Sequence, residues 1–408
     1  MTATRAPAHS PLLSAILAAS AVLALSACAP HSAAVRLARE DAVYATQVLD
    51  RAPQQGFAPG SFHIGEIHAA EARRDPAASA LLREGVIEYA RAQHGLSLPA
   101  RARPAAWGEA PAPYDAAAEL DAALARRQFR AWLDAQPPPS PIYHDLQQAY
   151  AAILAHPQAT QPQATQPAAA QAGAVTPALL RANLERLRWL PREEPATRVD
   201  VNIASATLIY VVDGQAKLTM RTASGKPGDE TPMLTSKIDS IVLNPPWNVP
   251  ANIAAAELMP KGEDYLAAHG FVASETGGLV QNPGPESALG LVKFDFANPY
   301  SVYLHDTPSK AAFDKAGRAV SHGCVRLERA MDLANLLLAQ EPGWSPQRVA
   351  DTVATQQTTT VKLHAPVAVR LLYLTAVPSG GRIAVLPDVY GWDAALLRLM
   401  DQGAGAKA

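Results

Sequence analysis

The chain has 408 residues and a formal net charge of −2, and 49% of its residues are apolar. A near-neutral chain without a strong basic patch excludes nucleic acid as a partner. The length exceeds what a single hydrophobic core usually covers, so two folded units are expected.

Residues 1–27 read as a targeting segment. Arg5 supplies a short basic start, and Pro11 to Leu25 is an apolar run too short to span a membrane as a mature helix. It ends in Leu25-Ser26-Ala27-Cys28. This resembles the bacterial lipoprotein signal, in which small residues precede a cysteine that becomes the lipidated N-terminus. The plainer reading is an ordinary secretory signal with Cys28 incidental. The resemblance implies a periplasmic protein held to a membrane by an N-terminal lipid. Outer-membrane attachment is preferred, because Ala29 stands where an aspartate is associated with inner-membrane retention in enteric bacteria.

Residues 28–156 read as helical. The stretch from Val35 to Leu49 is built of helix formers. Ala77 to Gln93 carries Leu81, Leu82, Ile87 and Tyr89 on one broad face, closed by His94-Gly95. Ala116 to Ala135 and Ile142 to Leu154 follow with similar spacings. Residues 157–177 are a Gln/Pro/Ala-rich linker that cannot bury a core. Thr176-Pro177 then supplies an N-cap and a first-turn proline for a helix through Leu190.

After Pro191 the period changes to two. Val199, Val201 and Ile203 alternate, and Thr207 to Val212, Asp213-Gly214 and Gln215 to Met220 spell a hairpin with a two-residue primed turn. Further strands are expected at Ser240–Leu243, Leu289–Phe294, Ser301–Leu304, Thr359–Leu363 and Ala368–Thr375. One helix, Glu328 to Gln340, interrupts them. A β-rich unit over 178–378 is expected, with a loop-rich region at about 251–285 placed to cover a cleft. Residues 379–408 read as a tail with a terminal helix.

The most informative stretch is Ser321-His322-Gly323-Cys324-Val325-Arg326. The chain has two cysteines. If Cys28 is lipidated or removed, Cys324 is a lone thiol in an oxidising compartment, which points to a reactive role. His305, at a strand end, is placed to act as base and His322 to shape the loop. Gly323 and Cys324 can offer backbone N–H groups to an oxyanion. The helix after Leu327 can place a positive end nearby, and Arg326 can hold a substrate carboxylate. Plainer readings pair Arg326 with Glu328 or Asp332 and have Asp306 start a turn. No CxxC or HxxxH spacing suggests a metal, and no cofactor is expected.

His305 and, after 15 residues, Ser321-His322-Gly323-Cys324 resemble the signature of the YkuD-type L,D-transpeptidase catalytic domain. The likeness extends over Arg188-Trp189-Leu190-Pro191-Arg192, Asn244-Pro245-Pro246-Trp247-Asn248, Gln281-Asn282-Pro283-Gly284-Pro285 and Val302-Tyr303-Leu304-His305-Asp306. These look like the large subgroup with a helical scaffold and a capping subdomain, and Tyr89-Ala90-Arg91 and Trp107 look like its scaffold. The resemblance implies an α+β protein: an α-helical scaffold domain plus a β-sandwich-like catalytic domain with a cap. It implies Cys324 as nucleophile, His305 as proton donor and acceptor, and amides near His322, Gly323 and Cys324 as oxyanion donors. Ser321, Tyr303, Trp247, Asn248 and Arg326 are the residues expected to bind substrate. The implied reaction attacks the third-residue carbonyl of a peptidoglycan tetrapeptide stem, releases D-alanine and forms a 3→3 crosslink on a second stem, with carbapenem sensitivity. The alternatives are hydrolysis by the same thiolate, as a carboxypeptidase or amidase, and a non-catalytic wall-binding lipoprotein. The subgroup often inserts a peptidoglycan-binding module, for which this chain leaves no room.

Overall fold

The computed structural model describes residues 37–156, 173–274 and 277–405. The expected signal segment 1–27, Cys28 and linker residues 157–172 lie outside the described residues.

The helical part comprises α1 (Arg39–Asp50), α2 (Ile64–Ala72), α3 (Ala78–Gln93), α4 (Ala116–Ala125), α5 (Phe129–Asp134) and α6 (Pro141–Ala155). On α3, Leu82, Val86, Tyr89 and Gln93 recur at helical spacing and are buried. Leu82, Val86 and Tyr89 pack with Leu49, Ile67, Leu120 and Leu133. The single helix expected over 116–135 is instead two. Asp115 caps α4 by accepting from the Ala118 amide at 3.0 Å. The helix ends where Arg127 takes φ +57° and Gln128 N returns to Ala123 O at 2.8 Å. The turn lets Phe129 and Leu133 join Leu120 in one core, which a straight helix would not do.

α7 (Pro177–Arg188) begins as its cap–proline pair predicts, with Thr176 Oγ1 accepting from Leu179 N at 3.1 Å. The β-rich part then holds β1 (Arg198–Asn202), β2 (Thr207–Val212), β3 (Gln215–Gly225) and β4 (Leu234–Leu243). After the cap come β8 (Val292–Phe296), β9 (Leu304–His305), β10 (Ala319–Ser321), β11 (Val325–Leu327) and β12 (Thr359–Leu372). They form one sheet in the order β10-β3-β11-β9-β8-β4-β12-β1-β2, and β2 pairs back onto β3. The long β3 makes this possible: its first half pairs with β2 and its end with β11 and β10. The sheet thus closes on itself, and eight of its strands feed one core, including Val201, Leu208, Met220, Ile241, Phe294, Leu304, Val325 and Leu371. Helices α10 (Ala330–Leu338) and α11 (Pro346–Ala354) pack on it through Leu333, Leu337 and Val349.

Two expected strands near the end are one. β12 runs through Pro366, with a register shift between Lys362 and Val367. The proline lacks an N–H for the ladder, and the bulge accommodates it. The expected loop-rich cover also has structure of its own. β5 (Trp247–Asn248), β6 (Phe271–Ala273) and β7 (Leu279–Gln281) form a small sheet in the order β5-β7-β6. Beside it lie α8 (Ala251–Ile253), a π turn over Ala254–Leu258, and α9 (Glu263–Ala268). Val249, Ile253, Leu258 and Phe271 give this cap a core of its own. Residues beyond 378, expected as a tail with a terminal helix, do hold that helix but are integral to the fold. β13 (Ala376–Ser379) and β14 (Arg382–Val385) form a hairpin, and α12 (Trp392–Gly405) buries Trp392 and Leu396 in the main core.

Helix α7 joins the two parts through buried charge. Arg186 pairs with Asp393 of α12, and Asn183 Oδ1 accepts from Thr375 N at 2.8 Å. On the other side Arg188 Nη1 meets Glu185 at 3.1 Å, Nε meets Gln93 at 3.2 Å, and Nη2 meets the Tyr143 hydroxyl at 3.0 Å. Glu185 in turn accepts from Ser97 Oγ at 2.6 Å and Trp189 Nε1 at 3.1 Å. Both charges of the Arg188–Glu185 pair are fully buried. Removing one partner leaves the other uncompensated in low dielectric. Arg188→Ala is therefore expected to lower unfolding free energy by about 3–5 kcal/mol in denaturant titration; a loss below about 1 kcal/mol would contradict a structural role for the pair.

Candidate active site

The site is built by two very short strands. β9 and β11 pair in parallel, with Val325 opposite Leu304 and Arg326 opposite His305, and Val325 N bonds Tyr303 O at 3.1 Å. Strand alternation puts Leu304, Val325 and Leu327 in the core, all fully buried. It puts Tyr303, His305, Cys324 and Arg326 together on the opposite face. Lys293 of β8 lies opposite His305 in the antiparallel pairing and joins them; its Nζ sits 4.7 Å over the Tyr303 ring and 2.8 Å from Asp295.

His305 is buried, and its Nδ1 lies 2.5 Å from the carbonyl oxygen of Asp306. A carbonyl only accepts, so the proton sits on Nδ1 and Nε2 keeps its lone pair for base work. The Asp306 carboxylate does not orient this ring. It pairs with Lys310 at 2.5 Å and accepts from Leu291 N at 3.0 Å. It also packs where a Cβ on Gly290 would stand, which only glycine, at φ +61°, permits. Burial, reinforced by the Arg326 charge, drives the His305 pKa down to about 3.

Burial likewise raises the Cys324 thiol, and hydrogen bonds from the Tyr303 backbone and phenol pull it part of the way back. The phenol in turn is hydrogen-bonded to Trp247 of the cap. The thiol itself points to Ser301 O at 3.9 Å. At rest the pair is therefore a neutral thiol beside a neutral imidazole, since burial disfavours both charged forms.

The loop between β10 and β11 is held by Ser321. Its hydroxyl donates to Cys324 O at 2.6 Å and accepts from Gly323 N at 3.2 Å. Gly323 takes φ +112°, a conformation L side chains rarely adopt. The Gly323 amide, expected as an oxyanion donor, is thus occupied by Ser321. Among the described residues the Cys324 amide has no acceptor. Ser321, expected to touch substrate, is buried and holds the loop instead. His322 turns to the cap, with Nε2 2.7 Å from Glu257 of the π turn. Arg326 forms no ion pair among the described residues, because Glu328 is taken by Arg221 and Asp332 by Arg329. Its Nε is buried without a partner.

Of the expected site residues, Trp247, Tyr303, His305, Cys324 and Arg326 come together. Asn248 lies exposed in β5, paired with Val280. Glu257, Lys293 and Ser301 were not expected. Only tertiary packing brings them in, although Lys293 shares its strand face with Asp295. Among the described residues, His63, Glu84 and Glu88 gather possible metal ligands, their ligand atoms within 4.8 Å of one another. They belong to the helical part. No helix among the described residues is long and apolar enough to cross a membrane.

Residues 196–362 match the family profile of the L,D-transpeptidase catalytic domain, YkuD, and residues 36–149 match the Scaffold domain. A curated relative from Haemophilus influenzae, named "Putative L,D-transpeptidase", is 34% identical over 236 residues, covering 52% of this chain and 48% of that protein. The chain spans about half the length of that relative. Among solved structures, an L,D-transpeptidase from Mycobacterium smegmatis is 19% identical, with TM-score 0.24, over 43% of this chain and 58% of the other. The catalytic domain of the E. faecium L,D-transpeptidase acylated by ertapenem is 14% identical, with TM-score 0.22, over 42% of this chain and 98% of the other.

The Tyr303 hydrogen bond makes the thiol's titration testable. Alkylation of Cys324 by iodoacetamide is expected to rise with pH past the ordinary thiol range near about 8.5. Tyr303→Phe removes a donor to the thiolate, so the titration moves higher still and alkylation at pH 8 slows roughly fivefold or more. Unchanged or faster alkylation would contradict that hydrogen bond.

Proposed function

We propose that this chain, whose residues 196–362 match the L,D-transpeptidase catalytic domain and residues 36–149 the Scaffold domain, crosslinks peptidoglycan stem peptides through a Cys324 thioester. The observation that supports this most is the shared face of β9 and β11, which sets Cys324 and His305 beside Arg326, an arginine with no ion pair among the described residues.

In this reading Arg326 binds a substrate carboxylate through charge-assisted hydrogen bonds. Burial, reinforced by the Arg326 charge, keeps His305 deprotonated in the free enzyme, and a bound carboxylate offsets that charge as the imidazole takes up a proton. His305 Nε2 then accepts the Cys324 proton, and sulfur attacks the carbonyl of the third residue of a tetrapeptide stem. The Cys324 amide faces the developing oxyanion. The tetrahedral adduct collapses as His305 returns the proton to the leaving amine, releasing D-alanine and a thioester. The side-chain amine of a second stem attacks the thioester, loses its proton to His305 and leaves as a 3→3 crosslinked dimer, restoring the thiol.

Incubation with tetrapeptide muropeptides tests the reading. Crosslinked dimers and free D-alanine are expected, both lost in Cys324→Ala. Monomeric tripeptides alone would replace it with hydrolysis by the same thiolate. Arg326→Ala is expected to cost on the order of 100-fold in kcat/KM, as loss of one charged hydrogen-bonding partner does.

We also propose, from the leader and Leu25-Ser26-Ala27-Cys28, that the protein is exported to the periplasm and anchored by lipid at Cys28. Membrane fractionation of a Cys28→Ala variant is expected to find it released; unaltered membrane association would refute the anchor.

A further inference from the structure

A second concave site lies at the joint of the two parts. The turn Ala105–Trp107 of the helical part seats on the start of β4, with Met233 N bonding Ala106 O at 3.0 Å. Gly108, at φ +86°, is pressed so close that a Cβ there would stand 2.4 Å from Met233 O. Tyr300, from the catalytic part, donates its hydroxyl to Ala105 O at 3.1 Å. Between these contacts is a cavity of about 420 Å³, lined by Arg103, Trp107, Trp189, Arg192, Met233 and Tyr300 among others.

Its polar atoms are unusual in kind. Trp107 is almost fully buried, and its indole Nε1 has no acceptor. Arg103 lies over the Trp189 ring, its guanidinium carbon 3.8 Å from the centroid. Its Nη2 donates to Trp107 O at 3.3 Å, while Nε and Nη1 are buried without partners. An unmet buried donor costs about 1–3 kcal/mol, more when charged, so such groups call for an explanation. Every unmet group here is a donor. The lining cations Arg188 and Arg192 already donate to Glu185, Gln93 and Tyr143 and to the carbonyls of Gln136, Ala135 and Pro137. One guanidinium with two unmet nitrogens and one neutral N–H match a monoanion rather than a dianion. The walls of tryptophan, tyrosine, methionine and proline suit an apolar body.

We propose that this cavity binds a small organic carboxylate, its oxygens on Arg103 and Trp107 and its hydrocarbon part between Trp107 and Tyr300. The site is separate from the Cys324 face and does not depend on the reaction proposed there.

Isothermal titration of the full chain with benzoate and hexanoate tests this, with benzamide and inorganic phosphate as uncharged and dianionic arms. Saturable binding of the carboxylates with Kd on the order of 1 mM or tighter is expected. Benzamide and phosphate are expected to bind at least roughly tenfold more weakly, since each fails the charge match. Arg103→Gln should weaken benzoate roughly tenfold or more, and Trp107→Phe, which keeps the wall and removes the N–H, roughly threefold or more. Arg326→Ala should leave the affinity unchanged. No saturation by either carboxylate, equal affinity in a folded Arg103→Gln and a folded Trp107→Phe variant, or loss of binding in Arg326→Ala would each overturn the proposal. Phosphate binding more tightly than benzoate would also overturn it.

Discussion

Everything chemical in this protein hangs on the parallel register of β9 against β11. The two strands together hold five residues, and their hydrogen bonds alone could not specify alignment. The apolar side does so. Leu304, Val325 and Leu327 are fully buried, each worth about 1.5–3 kcal/mol on burial. A one-residue slip of either strand would drive its apolar residues out of the core and its polar ones in. The core therefore fixes which residues face outward together, and those are Tyr303, His305, Cys324 and Arg326. Closure of the sheet through β2 and β3 supports the arrangement, because the end of β3 pairs with both β10 and β11 and so holds each side of the cysteine loop.

The same burial sets the electrostatics. A thiol and an imidazole sit in low dielectric, where burial disfavours both charged forms, while the Arg326 charge opposes protonation of His305 and favours the Cys324 thiolate. Asp306 contributes through its backbone carbonyl, which fixes the imidazole tautomer, while its carboxylate is engaged by Lys310 and Leu291. Burying His305 neutral also links folding to pH. Its folded pKa of about 3 lies below the ordinary histidine value, so the unfolded chain binds the extra proton first. This contribution to stability is present above the ordinary value and is lost as pH falls towards 3. The cap meets the site at two points, Trp247 on Tyr303 and Glu257 on His322, so its position and the shape of the cysteine loop are coupled.

Much of this was legible in the sequence wherever a local rule had one solution. Thr176-Pro177 starts α7, and Asp213-Gly214, with both residues at positive φ, turns the hairpin. The same cap–proline signal stands at Ser345-Pro346, where Ser345 caps α11, a helix that the strand-dominated reading of that region passed over. Features set by long-range packing were not legible. The break at Arg127 depends on where Leu120 and Leu133 find their core, and the cap strands are too short to show a period. β12 continues through Pro366 because a bulge admits it, and the terminal helix α12, expected as a helix, is docked by the Arg186–Asp393 pair across the fold, which no local signal shows. At the site, His305 and Cys324 were singled out from the sequence, and the register of β9 and β11 sets them on one face. The occupation of the Gly323 amide by Ser321 and the contact of His322 with Glu257 were not legible, since both depend on where side chains end up in space.

The central claim, that this face makes Cys324 an acylating nucleophile with His305 as its base, is tested most directly by intact-protein and peptide mass spectrometry after exposure to a carbapenem. The account predicts one adduct per chain, located on Cys324, absent in Cys324→Ala and formed much more slowly in His305→Asn. An adduct elsewhere, or one formed at the same rate without His305, would contradict it.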